Sequence, residues 1–401
     1  MLVLTSTFPR FAGDKGPRFV FDLSERLADE FRVTVLAPHA PGVKRRERIG
    51  GLEIVRFRYF IARWQSLAYG SGILENLKEK PIRILLVPFF FIAEIFATFR
   101  LLRRHDIAIL HVHWIVPQGI AAILARFLAA KKCPILCTSH GSDLSELRGS
   151  LFHTMVRWAL WRFNALAVVS NAMRARAAEL GAEARKISVL PMGISSDSLV
   201  DGRTSAPLPR EGLLYVGRLI KQKGLQYLLQ ALPAVLEKYP DTTLDIIGVG
   251  SDEAVFVDLA ERLGIGNHVQ FLGALTHEDV MVRYRRAAIV VMPSLSEGLG
   301  LVAAEALASK CPVVASDLPA VRDVVIDGET GLLFKAGDYR DMASKILRLM
   351  NDKQLSASLA ENGQLWVSER YDWDVVADGY RSLIEGLTSD NSQKISHGIQ
   401  Y

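Results

Sequence analysis

Cysteine is scarce in this chain of 401 residues: only Cys133, Cys137 and Cys311 occur. Three thiols cannot staple a secreted disulfide scaffold, so a reducing, cytoplasmic setting is expected. A long apolar run is missing at the start, because residues 1–5 give way to Arg10 and Asp14 too soon for a secretory signal. No Gly-x-Ser-x-Gly elbow is present, which leaves a serine hydrolase without its nucleophile. The Phe89-Phe90-Phe91 run is not interleaved with basic residues, so a nucleic-acid module is not expected. Short-period repeats and low-complexity tracts are absent as well.

What is present describes a globular protein. Half of the residues are hydrophobic and 23% are charged, a balance that excludes disordered and fibrous classes. The length suits two or three domains, each with its own core, and a ligand cleft between them is the natural expectation. The net charge of +5 is unevenly spread: residues 1–200 carry 28 Lys and Arg against 16 Asp and Glu, and the remainder carries 20 against 27. A basic half suits nucleic acid, an anionic membrane or a phosphorylated substrate.

Short β-rich runs alternate with helical patterns, as in βαβ units around parallel sheets. Strands are expected at residues 2–5, 32–37, 107–113, 135–139, 165–170 and 187–190. A second series covers 213–216, 244–247, 269–271, 289–292 and 313–315. Residues 191–210, rich in Gly, Ser, Asp and Pro without a period, read as a linker. Beyond residue 334 the pattern is helical through Trp366, a last helix spans 373–387, and the polar tail from Thr388 is expected to fray.

One segment breaks the alternation. Of residues 82–99, 14 are apolar, with Arg and Lys at both flanks. A core helix and an interfacial, lipid-touching helix both fit, whereas Arg83, Pro88 and Glu94 argue against a full span.

The chemistry is expected in loops at the ends of strands. After the first strand, Phe11-Ala-Gly13-Asp-Lys-Gly16-Pro-Arg18 leads into a helix at 19–30, where glycines and a helix N-terminus suit an anion. After strand 213–216, Gly217-Arg218-Leu-Ile-Lys221-Gln-Lys223-Gly224 places cations where open α/β sheets bind ligands. Arg218 can grip phosphate oxygens bidentately and Lys223 can add a point charge, which together suit a diphosphate. After strand 289–292, Pro293-Ser-Leu-Ser-Glu297-Gly298-Leu299-Gly300-Leu301 precedes Glu305 on a helix. A buried carboxylate in such a loop needs hydroxyl or amide partners, and sugar hydroxyls would supply them.

These residues resemble the retaining glycosyltransferases of the GT-B fold, family 4. The resemblance rests on Gly217-Arg218 with Lys223-Gly224, on Glu297 and Glu305 with seven residues between them, and on three further motifs. Those are Ser139-His140-Gly141-Ser142-Asp143, Pro191-Met192-Gly193 and Asp327-Gly328-Glu-Thr-Gly331, so nearly the whole chain is covered.

The resemblance implies an α/β protein of two Rossmann-like, doubly wound parallel-sheet domains facing a cleft. An acceptor-side domain would take residues 1–200 and a nucleotide-sugar domain 205–370, with helix 373–387 returning to the first. Carried over residue by residue, Arg218 and Lys223 would hold the diphosphate, Glu305 the ribose and Glu297 the transferred sugar. Gly298, Leu299, Gly300 and Leu301 would offer backbone amides, His140 would face the sugar, and Gly13 or Gly16 would lie beside the phosphate. Neither a metal nor another cofactor is implied beyond the UDP-sugar or GDP-sugar donor. The first loop departs from the family, since Gly16 is followed by Pro17-Arg18 and no double glycine occurs.

The expectation is transfer of a hexose to a glycan, lipid-linked or a polysaccharide precursor, with peripheral contact to the inner face of an anionic membrane. Two rivals remain. Gly298-x-Gly300-x-x-Ala303 imitates a dinucleotide fingerprint with Asp317 downstream, as in an NAD-dependent oxidoreductase. A non-catalytic two-domain scaffold is the other. His111-Val-His113, with His140, could suggest a metallohydrolase, but no carboxylate completes the set and a structural role is favoured.

Overall fold

The structure is a computed structural model that describes every residue except 12, 13, 15, 71, 146–148, 195–209 and 398–401. It divides into two compact units, Met1–Pro191 with Val376–Tyr401, and Met192–Val375. The expected linker falls largely on residues 195–209, outside the described residues.

The first unit is built on eight strands: β1 (Leu2–Leu4), β2 (Thr34–Pro38), β3 (Arg46–Ile49), β4 (Leu52–Phe57), β5 (Leu110–His113), β6 (Ile135–Ser139), β7 (Ala165–Val168) and β8 (Ile187–Val189). They lie in the order β3-β4-β2-β1-β5-β6-β7-β8, and all pairs are parallel except β3 with β4. Aliphatic side chains fill β1 and β7 and, with Cys137, Thr138 and Ser139, β6; every residue of the three is buried, as a sheet covered on both faces requires. The β3–β4 hairpin was not expected from the sequence. Its first arm, Arg-Glu-Arg-Ile, has no fully buried residue and so no apolar run, although Gly50-Gly51 between alternating strands is a hairpin signal.

The second unit has six strands, β9 (Glu211–Val216), β10 (Leu244–Ile247), β11 (Val269–Gly273), β12 (Ala287–Met292), β13 (Val313–Ser316) and β14 (Leu332–Phe334), in the order β11-β10-β9-β12-β13-β14. All pairs are parallel. The helix Leu225–Leu236 packs against this sheet through Leu225, Leu228, Leu229, Leu232 and Val235, all buried at helical spacing. Each such side chain contributes roughly 1.5–3 kcal/mol of transfer free energy. Strand order reverses between β1 and β5 in one sheet and between β9 and β12 in the other. The carboxyl ends of those strands are therefore where a doubly wound sheet presents its ligand loops.

The last helix, Trp373–His397, extends past the expected end at 387. From Val376 it belongs to the first unit, where Tyr380 and Ile384 are buried.

The apolar segment forms a 3-10 turn, Pro81–Leu86, and a helix, Val87–Arg104. Phe90, Glu94, Thr98, Leu101 and Leu102 make its inward row, packed on the helix Ile120–Leu128. The other face is open: Ile82, Ile84, Leu85, Phe89, Ile92 and Phe96 are each more than half exposed. Phe60 extends this patch, contacting Phe89 at 5.2 Å and stacking on the exposed Trp64 at 5.9 Å between ring centres. Arg63 lies over Trp64 and Arg100 over Phe96. By length and composition Pro81–Arg104 could cross a bilayer.

Candidate active site

The loops after β9 and β12 meet at the switch point of the second sheet. Leu295 N–H donates to the Gln222 carbonyl at 2.9 Å, which ties one loop to the other. Gly224 has φ +74°, and a Cβ there would stand 1.8 Å from the Pro293 oxygen, so no other residue fits. The glycine of the Lys223-Gly224 pair thus serves the closeness of two loops. Their side chains then converge: Lys223 Nζ lies 2.7 Å from Glu297 Oε1, and Ser294 Oγ donates to the same oxygen at 2.7 Å. Below them Tyr215, buried in the sheet, donates its hydroxyl to the Arg218 carbonyl at 3.1 Å. Burial, with the Glu297 charge nearby, keeps that phenol protonated far above its ordinary range.

The chain passes from this loop into the helix Leu301–Ala308 through Gly300, whose φ of +97° turns the backbone into the first helical residue. Leu299 is buried beneath the turn, and the amides from Gly298 to Leu301 sit at a helix N-terminus, where an anion is favoured. Glu305, one turn on, is half-buried and accepts a hydrogen bond from the buried Tyr284 hydroxyl at 3.1 Å. Burial raises the Glu305 carboxyl above the usual carboxylate range, while nearby His277 pulls it down. Arg218 is exposed at the C-terminal end of β9.

The first unit offers a different chemistry at its own switch point. His113 ends β5 and His140 follows β6, with His113 Nδ1 2.9 Å from His140 Nε2 and the rings stacked at 10°. His111 lies beside His113, and Phe19 and Trp114 pack on His140 at 4.7 and 4.9 Å between ring centres. Burial drives the His111 and His140 rings down to about 3 and His113 well below its ordinary value, so all three are neutral imidazoles at pH 7. The loop after β6 is held by Asp143, which accepts from Ser139 Oγ at 2.6 Å and from the Ile115 N–H at 2.8 Å. No group of three His, Cys, Asp or Glu able to hold a metal ion occurs among the described residues.

The loop after β1 carries Gly16, whose N–H points to Asp14 at 3.4 Å. Arg10 clasps the same Asp14 through its backbone and guanidinium, and this holds the Asp14 carboxyl down at about 2. Arg56 on β4, a fully buried guanidinium, supports the loop from beneath by donating to the Pro9 and Arg10 carbonyls and to Glu47. Gly13 lies outside the described residues. The structure thus brings Lys223 and Glu297 into contact, with Gly217, Arg218, Gly298, Leu299, Gly300, Leu301 and Glu305 on the same sheet edge, while His140 and Gly16 stand on the edge of the other sheet. Sequence reasoning assigned no part to Ser294, Tyr284 or Asp143, which hold the acidic and imidazole groups; a hydroxyl three residues before Glu297 was the available sign of the first.

Two parallel sheets, each with its ligand loops at a switch point, define the architecture of GT-B glycosyltransferases. Solved structures agree on the fold: a sucrose-phosphate synthase from Thermosynechococcus elongatus superposes with a TM-score of 0.77 at 24% identity, covering 97% of this chain and 99% of that one. Anabaena HepE, solved with UDP and glucose, gives 0.70 at 19% identity over 96% and 98%.

Residues 16–198 match the family described as Glycosyltransferase Family 4, and residues 203–366 match Glycosyl transferases group 1. A phosphatidyl-myo-inositol mannosyltransferase of Mycobacterium leprae is 33% identical over 72% of this chain and 76% of its own length. The protein of that name from Mycolicibacterium smegmatis is 31% identical over 89% and 86%. The chain belongs to glycosyltransferase family 4 and is a glycosyltransferase of the GT-B fold. Membership displaces the dehydrogenase reading: Gly298-x-Gly300-x-x-Ala303 opens a helix after β12, the fourth strand of its unit in chain order.

Proposed function

We propose that this protein transfers a hexose, with retention of configuration and without a bound metal, from a GDP-sugar or UDP-sugar to a lipid-linked acceptor at the cytoplasmic face of a membrane. The observation that carries the donor half is the Lys223–Glu297 contact at 2.7 Å, at the switch point that also bears Arg218 and Glu305. In the proposed reaction the bond from the anomeric carbon to the diphosphate oxygen breaks. An acceptor hydroxyl bonds to the same face, and its proton passes to the departing phosphate oxygen. Lys223 and Arg218 carry the growing charge on the diphosphate, Glu297 and His140 take sugar hydroxyls, Glu305 takes the ribose, and the amides from Gly298 to Leu301 add oriented dipoles. Gly13 and Gly16 are assigned to the phosphate side.

The acceptor half is supported by the names of three mycobacterial relatives, all phosphatidylinositol mannosyltransferases and one described as GDP-mannose-dependent. It is supported as well by the apolar patch of Trp64, Ile82, Leu85, Phe89 and Ile92 with Arg63 and Arg100 beside it, a composition that suits an anionic lipid surface. The UDP of neighbouring structures keeps a UDP-sugar in the test.

Melting is followed with GDP, UDP, ADP and NAD in EDTA, where a ligand at 100 times its dissociation constant adds about 2.7 kcal/mol. Turnover is then measured with GDP-mannose and UDP-glucose on a membrane lipid extract. Glu297→Ala and Lys223→Ala should each abolish transfer with the fold intact; a fully active Glu297→Ala would remove the mechanism. Sedimentation with anionic liposomes, released by salt, is expected from the basic rim, and equal recovery in the supernatant with and without lipid would remove the membrane contact.

A further inference from the structure

The sheet face beneath His140 holds more nitrogen than the reaction above uses. His111 and His113 alternate onto one face of β5, and the register that pairs His113 with Thr138 continues this face on β6 toward His140. His111 Nε2 lies 2.8 Å from Thr138 Oγ1, which lies 3.2 Å from the Tyr380 hydroxyl of the last helix. Three nitrogens, His111 Nδ1, His113 Nε2 and His140 Nδ1, are buried without a partner. Apolar side chains would fill this space at less cost, since every unpaired buried polar atom opposes folding. The pair therefore calls for an explanation beyond packing.

A neutral imidazole has one N–H and one lone pair. Between His113 Nδ1 and His140 Nε2 there is room for a single proton. If His113 donates it, the open Nδ1 of His140 carries an N–H; if His140 donates it, that Nδ1 is an acceptor. The Phe19 and Trp114 rings pack against His140 and leave His113 as its sole polar contact among the described residues.

We propose that His113 is a positioning residue that locks His140 in one tautomer and so decides whether its open Nδ1 gives or takes the hydrogen bond with a hydroxyl of the donor sugar. This rests on the reading that His140 faces that sugar. The sense of that hydrogen bond, N–H to hydroxyl oxygen or hydroxyl to ring nitrogen, then depends on a residue that touches no ligand.

The test uses the full chain labelled with 15N-histidine, together with the His113→Phe and His113→Asn variants and steady-state turnover of GDP-mannose or UDP-glucose. The wild type should show His140 nitrogen shifts of one pure tautomer. His113→Phe should give averaged shifts and a kcat at least tenfold lower, with little change in donor KM and a melting temperature equal or higher. An Asn side chain reaches the place of Nδ1 and should restore most of the rate. Wild-type kcat in His113→Phe, an unchanged pure tautomer, or activity lost only in step with stability would each overturn the lock. His140→Ala separates the two readings: if it stays active, the role of His140 toward the sugar fails, and if it is inactive beside a fully active His113→Phe, only the lock fails.

Discussion

Replacing Glu94 by Gln should stabilise the first unit, and the gain should depend on pH in a way the structure fixes. Glu94 sits on the inward row of the helix Val87–Arg104, wholly buried, with neither carboxyl oxygen paired. Burial pushes its carboxyl from 4.5 up to about 8. The folded state thus holds a proton that the unfolded chain releases, so stability falls as pH rises from about 4.5 to about 8 and is level outside that window. At about 1.4 kcal/mol per pH unit, the penalty is about 3 kcal/mol at pH 7. Gln keeps the shape and removes the titration. In a domain of this size, where 1 kcal/mol moves the midpoint by about 2–4 °C, the variant should melt roughly 6–12 °C higher at pH 7. At pH 4 the two proteins should coincide. Calorimetry at pH 4, 5.5, 7 and 8.5 reads both quantities, and a difference that does not grow with pH would show that folding does not hold on Glu94 a proton that the unfolded chain releases.

Three further outcomes follow from the second unit. Gly224→Ala sets a Cβ against the Pro293 oxygen at a φ that alanine rarely adopts, so denaturant unfolding of that unit should show a loss above about 2 kcal/mol, together with lost turnover; a loss within about 0.5 kcal/mol would contradict the close approach. Glu305→Gln removes a charged acceptor and should weaken nucleoside diphosphate binding by about 1.5–3 kcal/mol in calorimetric titration, whereas undiminished affinity would free Glu305 from the ribose. Glu297→Gln releases Lys223 from its part-buried ion pair, so GDP or UDP should bind up to about fivefold tighter while transfer is lost; weaker binding would mean that Lys223 does not serve the phosphates.

Much of this fold is legible because both sheets are parallel and covered, which writes their strands as short apolar runs. β6 and β10 fall on residues 135–139 and 244–247 as the pattern predicts. The strands that escaped are those obeying another rule. β3 is antiparallel, half-exposed and charged, and β4, its hairpin partner, carries Glu53 and Arg56 within an alternation that an apolar scan passes over. The candidate site shows the same division. Gly217, Arg218, Lys223 and Glu297 stand in the loops after legible strands, so position draws notice to them, whereas Glu305, on the helix that follows, enters through the family resemblance. Their supports do not: Tyr284 reaches Glu305 from the helix His277–Arg286, and nothing local marks a buried Tyr as a donor to a carboxylate 21 residues on.

Residues 82–99 left a core helix and a lipid-touching helix open, and the geometry gives each reading one face of the same helix. Glu94, which argued against a membrane span, points inward with Thr98 and away from the exposed Phe89, Ile92 and Phe96. A carboxyl in the middle of an apolar helix therefore says which side faces the fold, and the side left over is exposed.

The two sheet edges differ in charge, and the proposed reaction accounts for the difference. Leaving of a nucleoside diphosphate puts negative charge on phosphate oxygens, and the second unit answers with Arg218, Lys223 and oriented amides. The same bond cleavage leaves positive charge at the anomeric carbon. A protonated histidine beside that carbon would oppose the reaction, by about 4 kcal/mol for unit charges 4 Å apart at an effective dielectric of 20. Burial removes this opposition in advance: His140 and His113 lie so far below their ordinary range that neither is charged near neutral pH. The stack of His111, His113 and His140 thus presents imidazole nitrogens without a formal charge, which neither an ammonium nor a carboxylate does.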